Sequence, residues 1–253
     1  ALSLPLSPGD NVLLCDREFG SNVYPWLRLQ KEKGVEARIV PNDGGGLTLP
    51  LLERYADRRT RAVAVSSVEF SDGFAADLEA IGSWCSARGV YLVVDCAQSL
   101  GVVPMDVRRF RIDFLAGLSS KWLLGPFSTG FLYVRRELAG ELTPPFVGAD
   151  SVKGDVDTLD YALELKDGAA RFEGGLPNAP GIAGLNASLA LMEETGLDQI
   201  RREAWRVSGL WIDALRELGA ELAPCALSDR TRSSIDSFKT PDVPAAYQAL
   251  REG

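Results

Sequence analysis

Short apolar runs alternate with longer amphipathic stretches along roughly the first half of the chain. The runs are rich in β-branched residues, as strands are, whereas the stretches between them repeat apolar residues at helical spacing. We predict strands at 12–15, 35–40, 62–66, 91–95, 112–117 and 130–134. We predict helices at 21–33, after Thr48 and after Asp77, and Gly34 and Gly89 close the first and the third. Repeated strand–helix–strand units predict an α/β three-layer sandwich with a mostly parallel central sheet.

The second half of the chain has a different character. Residues 141–170 contain the pair Pro144-Pro145 and several acidic residues, so we predict a surface loop there. Two helices follow, at 183–195 and from Asp198 to residue 218, and the second has an apolar stripe that we expect to face inward. The stripe consists of Ile200, Ala204, Val207, Trp211, Ala214 and Leu218.

The last residues predict a small α+β terminal domain. A strand is predicted at 235–238 and a helix at 244–251, and the domain is expected to be unfinished where the sequence stops. We therefore divide the chain into a large domain, 1–180, and a second part, 181–253, that holds the connecting helices and a partial small domain.

Composition and charge exclude several classes of function. The chain has 253 residues and a net charge of −8, whereas nucleic-acid-binding proteins carry excess Lys and Arg. No apolar stretch has the roughly 18 residues of a membrane helix, and no basic leader opens the sequence, so we expect a cytoplasmic protein. The chain has no histidine, which excludes Ser-His-Asp and Cys-His catalysis and most zinc chemistry. We predict no metal site, and reduced thiols for four cysteines without a CxxC pair.

Two polar residues carry the candidate chemistry. Asp95 ends the most apolar strand, and ligands of open α/β sheets bind beyond the carboxyl ends of the strands. Taken alone, Asp95 is explained better as a helix cap or an ion pair. Lys121, however, follows the next strand among hydroxyl, glycine and aromatic residues. We expect this turn to desolvate the amine, which favours the neutral nucleophile that forms Schiff bases, whereas a surface lysine is the simpler alternative.

Five segments resemble one family. Segments 93–99 (VVDCAQS), 121–126 (KWLLGP) and 129–134 (TGFLYV) look like the cofactor-binding core of aminotransferase class V enzymes, and most of all like the isopenicillin-N-epimerase-like branch, beside the cysteine desulfurases. Segment 18–26 (EFGSNVYPW) resembles the one whose aromatic or histidine side chain stacks on the cofactor. Segment 171–178 (RFEGGLPN) resembles the loop that reaches the active site across the dimer. The resemblance implies a fold-type-I transferase, pyridoxal 5'-phosphate as cofactor, a small amino acid or amine as substrate, and a homodimer.

The resemblance also implies roles for three residues that touch the cofactor's reactive ring. Lys121 would form the internal aldimine with pyridoxal phosphate and later move the proton at the substrate α-carbon. Asp95 would pair with the protonated pyridine nitrogen and so make the ring an electron sink. Gln98 would donate a hydrogen bond to the ring hydroxyl.

Four further residues receive roles on the same basis. Phe19 would lie on the face of the ring, although a core aromatic residue is an equal alternative. Ser120 and Ser119 would donate to the cofactor phosphate, and the alternative for each is an ordinary turn serine. Ser67, at the end of the third strand, would also face the cofactor.

The chain departs from the family pattern at three positions. Leu118 stands where the family often has a phosphate-binding hydroxyl, Ser120 where it often has His or Tyr, and Leu176 where a threonine precedes the proline of the cross-subunit loop. We therefore expect weaker phosphate anchoring and slow loss of the cofactor. The family's amino-terminal phosphate contact and its carboxylate-binding arginine have no counterpart in the sequence, so the substrate is not identified.

Several functions remain open. An enzyme acting through an external aldimine is the leading hypothesis, and aminotransferase is ranked first because it is the family's own label. An epimerase, a lyase or a decarboxylating deaminase of natural-product metabolism are alternatives. Cysteine desulfuration is ranked lower, because Cys225 and its neighbours do not resemble the family's mobile cysteine loop. A dimeric scaffold without activity is suggested by Leu118 and Leu176, and a nicotinamide dehydrogenase is disfavoured because no GxGxxG turn follows an early strand.

Overall fold

A six-stranded sheet forms the centre of the protein. The computed structural model describes residues 1–42, 44–154 and 161–252. The sheet consists of β1 (Asn11–Cys15), β2 (Glu36–Val40), β3 (Thr60–Ser66), β4 (Tyr91–Asp95), β5 (Phe114–Leu118) and β6 (Gly130–Val134). Its strand order is β2-β1-β3-β4-β5-β6, and all neighbours are parallel except β6, which runs antiparallel to β5. The predicted mostly parallel sheet is confirmed.

Helices follow most of the strands. They are α1 (Gly20–Lys33), α2 (Leu49–Tyr55), α3 (Leu78–Arg88), α4 (Arg136–Ala139), α5 (Ala179–Thr195), α6 (Leu197–Glu217) and α7 (Val243–Glu252). Gly34 and Gly89 end α1 and α3 in the left-handed region, with φ of 68° and 64°. The Asp77 carboxylate caps α3 by accepting from the N–H of Ala80. Across the described ranges, no helix combines the length and apolar composition needed to cross a membrane.

Both faces of the sheet are covered, which gives the three layers predicted. Side chains of successive strand residues point to opposite faces. Leu13 and Val63 belong to the core under α2 and α3, whereas Leu14 and Ala64 belong to the core under α1. The central strands are thus buried on both faces, as their nearly continuous apolar sequences indicate.

Several predicted boundaries are wrong by two to four residues, among them the starts of the third and fifth strands and of helices α5 and α6. The fifth strand begins at Phe114, and the carboxylate of Asp113 just before it accepts from the N–H of Leu92. Helix α5 begins at Ala179, because the side chain of Asn178 accepts from the N–H of Gly181. Helix α6 begins directly after Gly196 and leaves Asp198 within its first turn.

The inward face of α6 is also predicted wrongly. The helix buries Ser208, Ile212 and Leu215, whereas Val207 and Leu218 of the predicted stripe are exposed. The buried face lies against the terminal segment, where Ser208 donates to Asp236. The Asp236 carboxylate accepts the hydrogen bond that a buried serine hydroxyl needs. Ser208 can therefore lie on the buried face of α6, although the apolar pattern of the sequence predicts that a different face is buried.

The terminal part contains a second, two-stranded sheet. Strand β7 (Glu221–Leu222) pairs antiparallel with β8 (Phe238–Lys239), and α7 follows. Strand β8 therefore starts three residues later than the strand predicted at 235–238, and β7 is not predicted at all. The domain division at residue 180 falls beside the start of α5 and stays a prediction. Part of the loop predicted at 141–170, namely 155–160, lies outside the described residues.

Candidate active site

The candidate residues lie where four strands end at one edge of the sheet. Strand register pairs Asp95 at the end of β4 with Ser66 in β3 and with Ala116 in β5. The segments after β1, β3 and β5 therefore meet around Asp95, and they carry Phe19, Ser67 and Lys121. The carboxyl edge of a parallel sheet is the usual ligand site of such folds, and the assignment of these residues to a site stays a prediction.

Asp95 is half-buried, and the turn that follows it orients its carboxylate. Its Oδ1 accepts from the N–H of Ala97 at 2.8 Å. Burial raises the pKa of the Asp95 carboxyl group, and the Ala97 N–H and the charge of Lys121 act in the opposite direction. The charge of Lys121 thus acts on Asp95, although the two side chains do not form a salt bridge.

The main chain of Asp95 is held by a buried pair of serines. The N–H and the hydroxyl of Ser67 lie 2.8 and 3.0 Å from the Asp95 carbonyl oxygen, to which both donate. The hydroxyl oxygens of Ser67 and Ser99 are 2.6 Å apart. Ser67 is almost fully buried, so its hydroxyl supports the main chain of Asp95 from the interior of the protein.

Lys121 extends over the ring of Phe19. Its Nζ lies 6.0 Å from the ring centroid, within range of a cation–π contact. The expectation that the turn desolvates the amine is wrong for this single chain, because the Lys121 side chain is exposed. Leu124 and Phe127, two apolar residues that follow Lys121, are mostly exposed as well and do not cover the amine.

The two serines before the lysine differ. Ser119 is fully buried, and its Oγ lies 2.5 Å from the carbonyl oxygen of Pro126 and 3.0 Å from that of Thr129. Its hydroxyl therefore donates within the turn and fixes the path of the chain that carries Lys121. Ser120 is half-buried. Of the two, Ser120 has the hydroxyl that is better placed to meet a ligand.

The remaining predicted residues flank this centre. Phe19 precedes α1 and is half-exposed, and its ring packs edge-on against Phe70 with centroids 5.3 Å apart. Gln98 is half-buried in the turn after β4. Leu118 is partly exposed at the end of β5, and Leu176 is 97% exposed, far more than a core leucine.

A buried pair of glutamates was missed by the sequence analysis. Glu18 and Glu69 each precede one of the two packed phenylalanines and lie beneath them, nearly inaccessible. Burial raises the pKa of both carboxyl groups, for Glu69 to about 9. The signal in the sequence is a repeated Glu-Phe dipeptide, each copy following a buried strand.

Cysteine and metal chemistry receive no support from the described residues. All four cysteines are free and buried. Burial raises the pKa of the Cys15, Cys85 and Cys96 thiols to about 12 and that of Cys225 to about 11. Within the described ranges, His, Cys, Asp and Glu side chains form no group of three suited to a metal ion.

The donor set suits pyridoxal phosphate. A primary amine, a carboxylate at the end of a buried strand and an exposed aromatic face lie together, and these groups can meet the aldehyde, the ring nitrogen and the ring face of that cofactor. Fold and site together define the class of fold-type-I pyridoxal-phosphate enzymes. The model of the family "Aminotransferase class-V" matches residues 1–250, and the chain belongs to this family.

Curated relatives are named as cysteine desulfurases. A "Probable cysteine desulfurase" of Methanothermobacter thermautotrophicus is 38% identical over 201 residues, which cover 79% of this chain and 49% of the relative. Another, from Pyrococcus abyssi, is 33% identical and covers 83% of this chain and 52% of its own length. The chain spans about half the length of the curated relatives it matches.

Solved structures agree with the fold. The apo cysteine desulfurase of Thermococcus onnurineus has a TM-score of 0.87 and 30% identity, covering 98% of this chain and 61% of that chain. The cystine C–S lyase C-DES, in complex with its reaction product cysteine persulfide, has a TM-score of 0.87 and 27% identity, covering 99% and 68%. A mutant of C-DES has glycine covalently linked to its PLP cofactor.

Proposed function

We propose that this chain binds pyridoxal 5'-phosphate at Lys121, Asp95 and Phe19 and acts on the carbon–sulfur bond of a cysteine-type amino acid. The observation that carries the proposal is the juxtaposition of these three groups, with the amine of Lys121 over the Phe19 ring and its charge acting on Asp95. Bound pyridoxal phosphate supplies an electron sink for the electrons left at the α-carbon of an amino acid.

Each residue of the site has one task in this proposal. Lys121 supplies the amine that holds the aldehyde carbon of the cofactor and, once released, moves the proton at the substrate α-carbon. Asp95 keeps a positive charge on the ring nitrogen, and Phe19 supports the ring face. Gln98 donates to the ring hydroxyl, and Ser120 donates to the phosphate.

Ser119 and Ser67 have a supporting task. The internal hydrogen bonds of Ser119 fix the turn that carries Lys121, and those of Ser67 fix the main chain of Asp95. We therefore propose that they contribute to cofactor binding by positioning the two residues that touch it.

The relatives change the ranking of reactions. Aminotransferase stood first only through the family label, whereas the relatives and structural neighbours above are named for chemistry on cysteine or cystine. A thiolate that accepts sulfur must be exposed and ionised, whereas Cys15, Cys85, Cys96 and Cys225 are all buried, so none of these four is suited to accept it. We propose C–S bond cleavage of the kind named for the C-DES neighbour, with the sulfur leaving as sulfide from cysteine or as cysteine persulfide from cystine.

The test is a product analysis of the chain supplied with pyridoxal phosphate. L-cysteine, L-cystine, L-glutamate and L-alanine are offered separately, and sulfide, cysteine persulfide, pyruvate, alanine and the pyridoxamine form of the cofactor are quantified. The proposal predicts pyruvate, ammonia and sulfide from cysteine, and pyruvate, ammonia and cysteine persulfide from cystine. Alanine with sulfur left on the protein would indicate desulfuration instead. Accumulation of the pyridoxamine form without sulfide would indicate transamination and contradict the proposal.

We also propose that the enzyme is a homodimer in the cytoplasm. The single chain leaves large apolar side chains exposed, among them Phe127, Leu176 and Ile182. Burying such side chains against a second copy would favour association. The four free cysteines support a reducing compartment.

A further inference from the structure

Two identical dipeptides face each other beneath the candidate site. Glu18–Phe19 follows β1 and Glu69–Phe70 follows β3, and these strands are neighbours in the sheet. The two rings are 50% and 43% exposed and pack edge to face, whereas the two carboxyl groups are buried below them. The Nζ of Lys121 lies over the Phe19 ring. The carboxyl groups of Glu18 and Glu69 therefore support the rings of Phe19 and Phe70, which together form one side of the candidate site.

The surroundings of Glu18 suit an ionised carboxylate. Its two oxygens accept from the N–H of Ser66 at 2.6 Å, from the hydroxyl of Ser66 at 2.6 Å and from the side-chain amide of Asn22 at 2.9 Å. Three donors match a carboxylate, which only accepts hydrogen bonds, better than a carboxylic acid. Burial raises the pKa of Glu18, and these donors counteract the rise.

The surroundings of Glu69 suit the protonated acid. The residue is 1% exposed, and neither carboxyl oxygen has a hydrogen-bond partner among the described residues. Burial and the nearby carboxylate of Glu18 raise its pKa to about 9. Asp72 in its own loop and Asp95 at the end of β4 raise it further. From β1, Cys15 faces the same group with a thiol that stays protonated.

We propose that Glu69 is a positioning residue whose protonated carboxyl group pairs with the carboxylate of Glu18 and so holds Phe70 against Phe19 under the cofactor. The proton is shared between two buried carboxyl groups, as in other close carboxyl pairs. When it leaves, two buried anions repel each other and separate the loops after β1 and β3. The inference that deprotonation separates the two loops rests on the structure. Only the effect of that separation on the cofactor rests on the proposed function.

The first test needs no cofactor and compares Glu69→Gln with the wild type. A carboxyl group whose pKa is raised by folding binds its proton more tightly in the native state, so native stability falls as pH rises from the ordinary glutamate value to about 9. Glutamine cannot ionise and keeps a donor toward Glu18. The melting temperature of the variant should therefore equal that of the wild type near pH 4 and exceed it increasingly up to pH 9.

A matched control is Glu53→Gln on the exposed side of α2. Its melting temperature should follow the wild type in parallel at every pH. A Glu69→Gln profile that is likewise parallel to the wild type would overturn the proposal. Should that variant not fold, infrared spectroscopy of the wild type decides: a protonated carboxylic acid band must persist at pH 7 and vanish near pH 9, and its absence at pH 7 refutes the pair.

The second test follows release of pyridoxal phosphate from the loaded chain. The wild type should lose the cofactor faster at pH 10 than at pH 7, and Glu69→Gln should lose most of that pH dependence. Equal pH dependence in both proteins would contradict the role of the pair in the site. If no cofactor binds at any pH, the proposed function fails, while the cofactor-free melting profiles still decide the carboxyl pair.

Discussion

Asp95 illustrates how a single functional residue opposes stability. Its carboxyl group ends a buried strand, and burial raises its pKa, which means that the folded chain disfavours the anion. The Ala97 N–H and the charge of Lys121 offset part of this penalty. Perturbed carboxyl groups of this kind are common at functional sites, which agrees with the proposed pairing of Asp95 with the ring nitrogen of the cofactor.

Replacing Asp95 by asparagine separates the two effects. Because the folded-state pKa is raised, the stability that the group contributes is present at low pH and lost as pH rises above the ordinary aspartate value. At pH 7 the cofactor-free Asp95→Asn variant should therefore be at least as stable as the wild type in urea unfolding. Its affinity for pyridoxal phosphate should fall about 10- to 100-fold, the loss of one charged hydrogen bond. Asp198→Asn, exposed on α6, is the control that should leave the affinity for pyridoxal phosphate unchanged. A destabilised variant with unchanged affinity would mean that Asp95 is only structural.

The sequence allowed Asp95 and Lys121 to be predicted but not Glu69. Strand ends and apolar runs are local signals, and both residues directly follow such runs. Glu69 looks like an ordinary loop charge, and its burial arises only because β1 and β3 are neighbours and bring two loops together. The exposure of Lys121 escaped prediction for a similar reason, since whether Leu124 and Phe127 cover it depends on tertiary contacts.

At the level of elements, the loop after β3 is held by the terminal part of the chain. The N–H of Ala75 donates to the Thr231 carbonyl at 2.7 Å, and the Ser237 hydroxyl donates to the Ser71 carbonyl at 3.1 Å. At Gly73, φ is 81°, and an added Cβ would lie 2.0 Å from the carbonyl oxygen of Ile235. Hydrogen bonds and close contacts with the terminal segment thus hold the loop that carries Glu69 and Phe70 in place, like a clamp.

Gly73→Ala tests this clamp. The left-handed backbone should cost about 1 kcal/mol, and the clash with the terminal segment about 1–3 kcal/mol more. Gly89→Ala is the matched control, because Gly89 also has a positive φ of 64° but no atom within 4 Å of an added Cβ. Urea unfolding should therefore show a larger loss for Gly73→Ala. Equal losses would mean that the terminal segment moves aside without resistance.

Helix ends were harder to predict than helix identity. Helix α3 followed its local signals, with Asp77 at one end and Gly89 at the other. Helix α5 started earlier than predicted because Asn178 caps it, and the proline in its first turn is compatible with a helix start. The inward face of α6 depends on the terminal segment, which no local pattern describes.

At the level of the whole molecule, the exposed leucine of the 171–178 loop tests the proposed dimer. Leu176 is 97% exposed in the single chain, so Leu176→Glu should leave monomer stability unchanged. If a second copy buries this side chain, the dissociation constant measured by sedimentation should rise about 10- to 100-fold, as expected for losing a buried leucine. Leu218→Glu, at an exposed position at the end of α6, should have no effect. A dimer that tolerates Leu176→Glu, or a chain that is monomeric throughout, would contradict the proposal.

The central claim is that Lys121 holds pyridoxal phosphate beside Asp95, and absorbance spectroscopy of the chain tests it most directly. After incubation with the cofactor and removal of the excess, the wild type should show the visible band of a lysine-bound cofactor that borohydride makes permanent. Lys121→Ala should lack the band, and Lys31→Ala, on the surface of α1, should retain it. An unchanged band in Lys121→Ala, or no band in the wild type, would contradict the account.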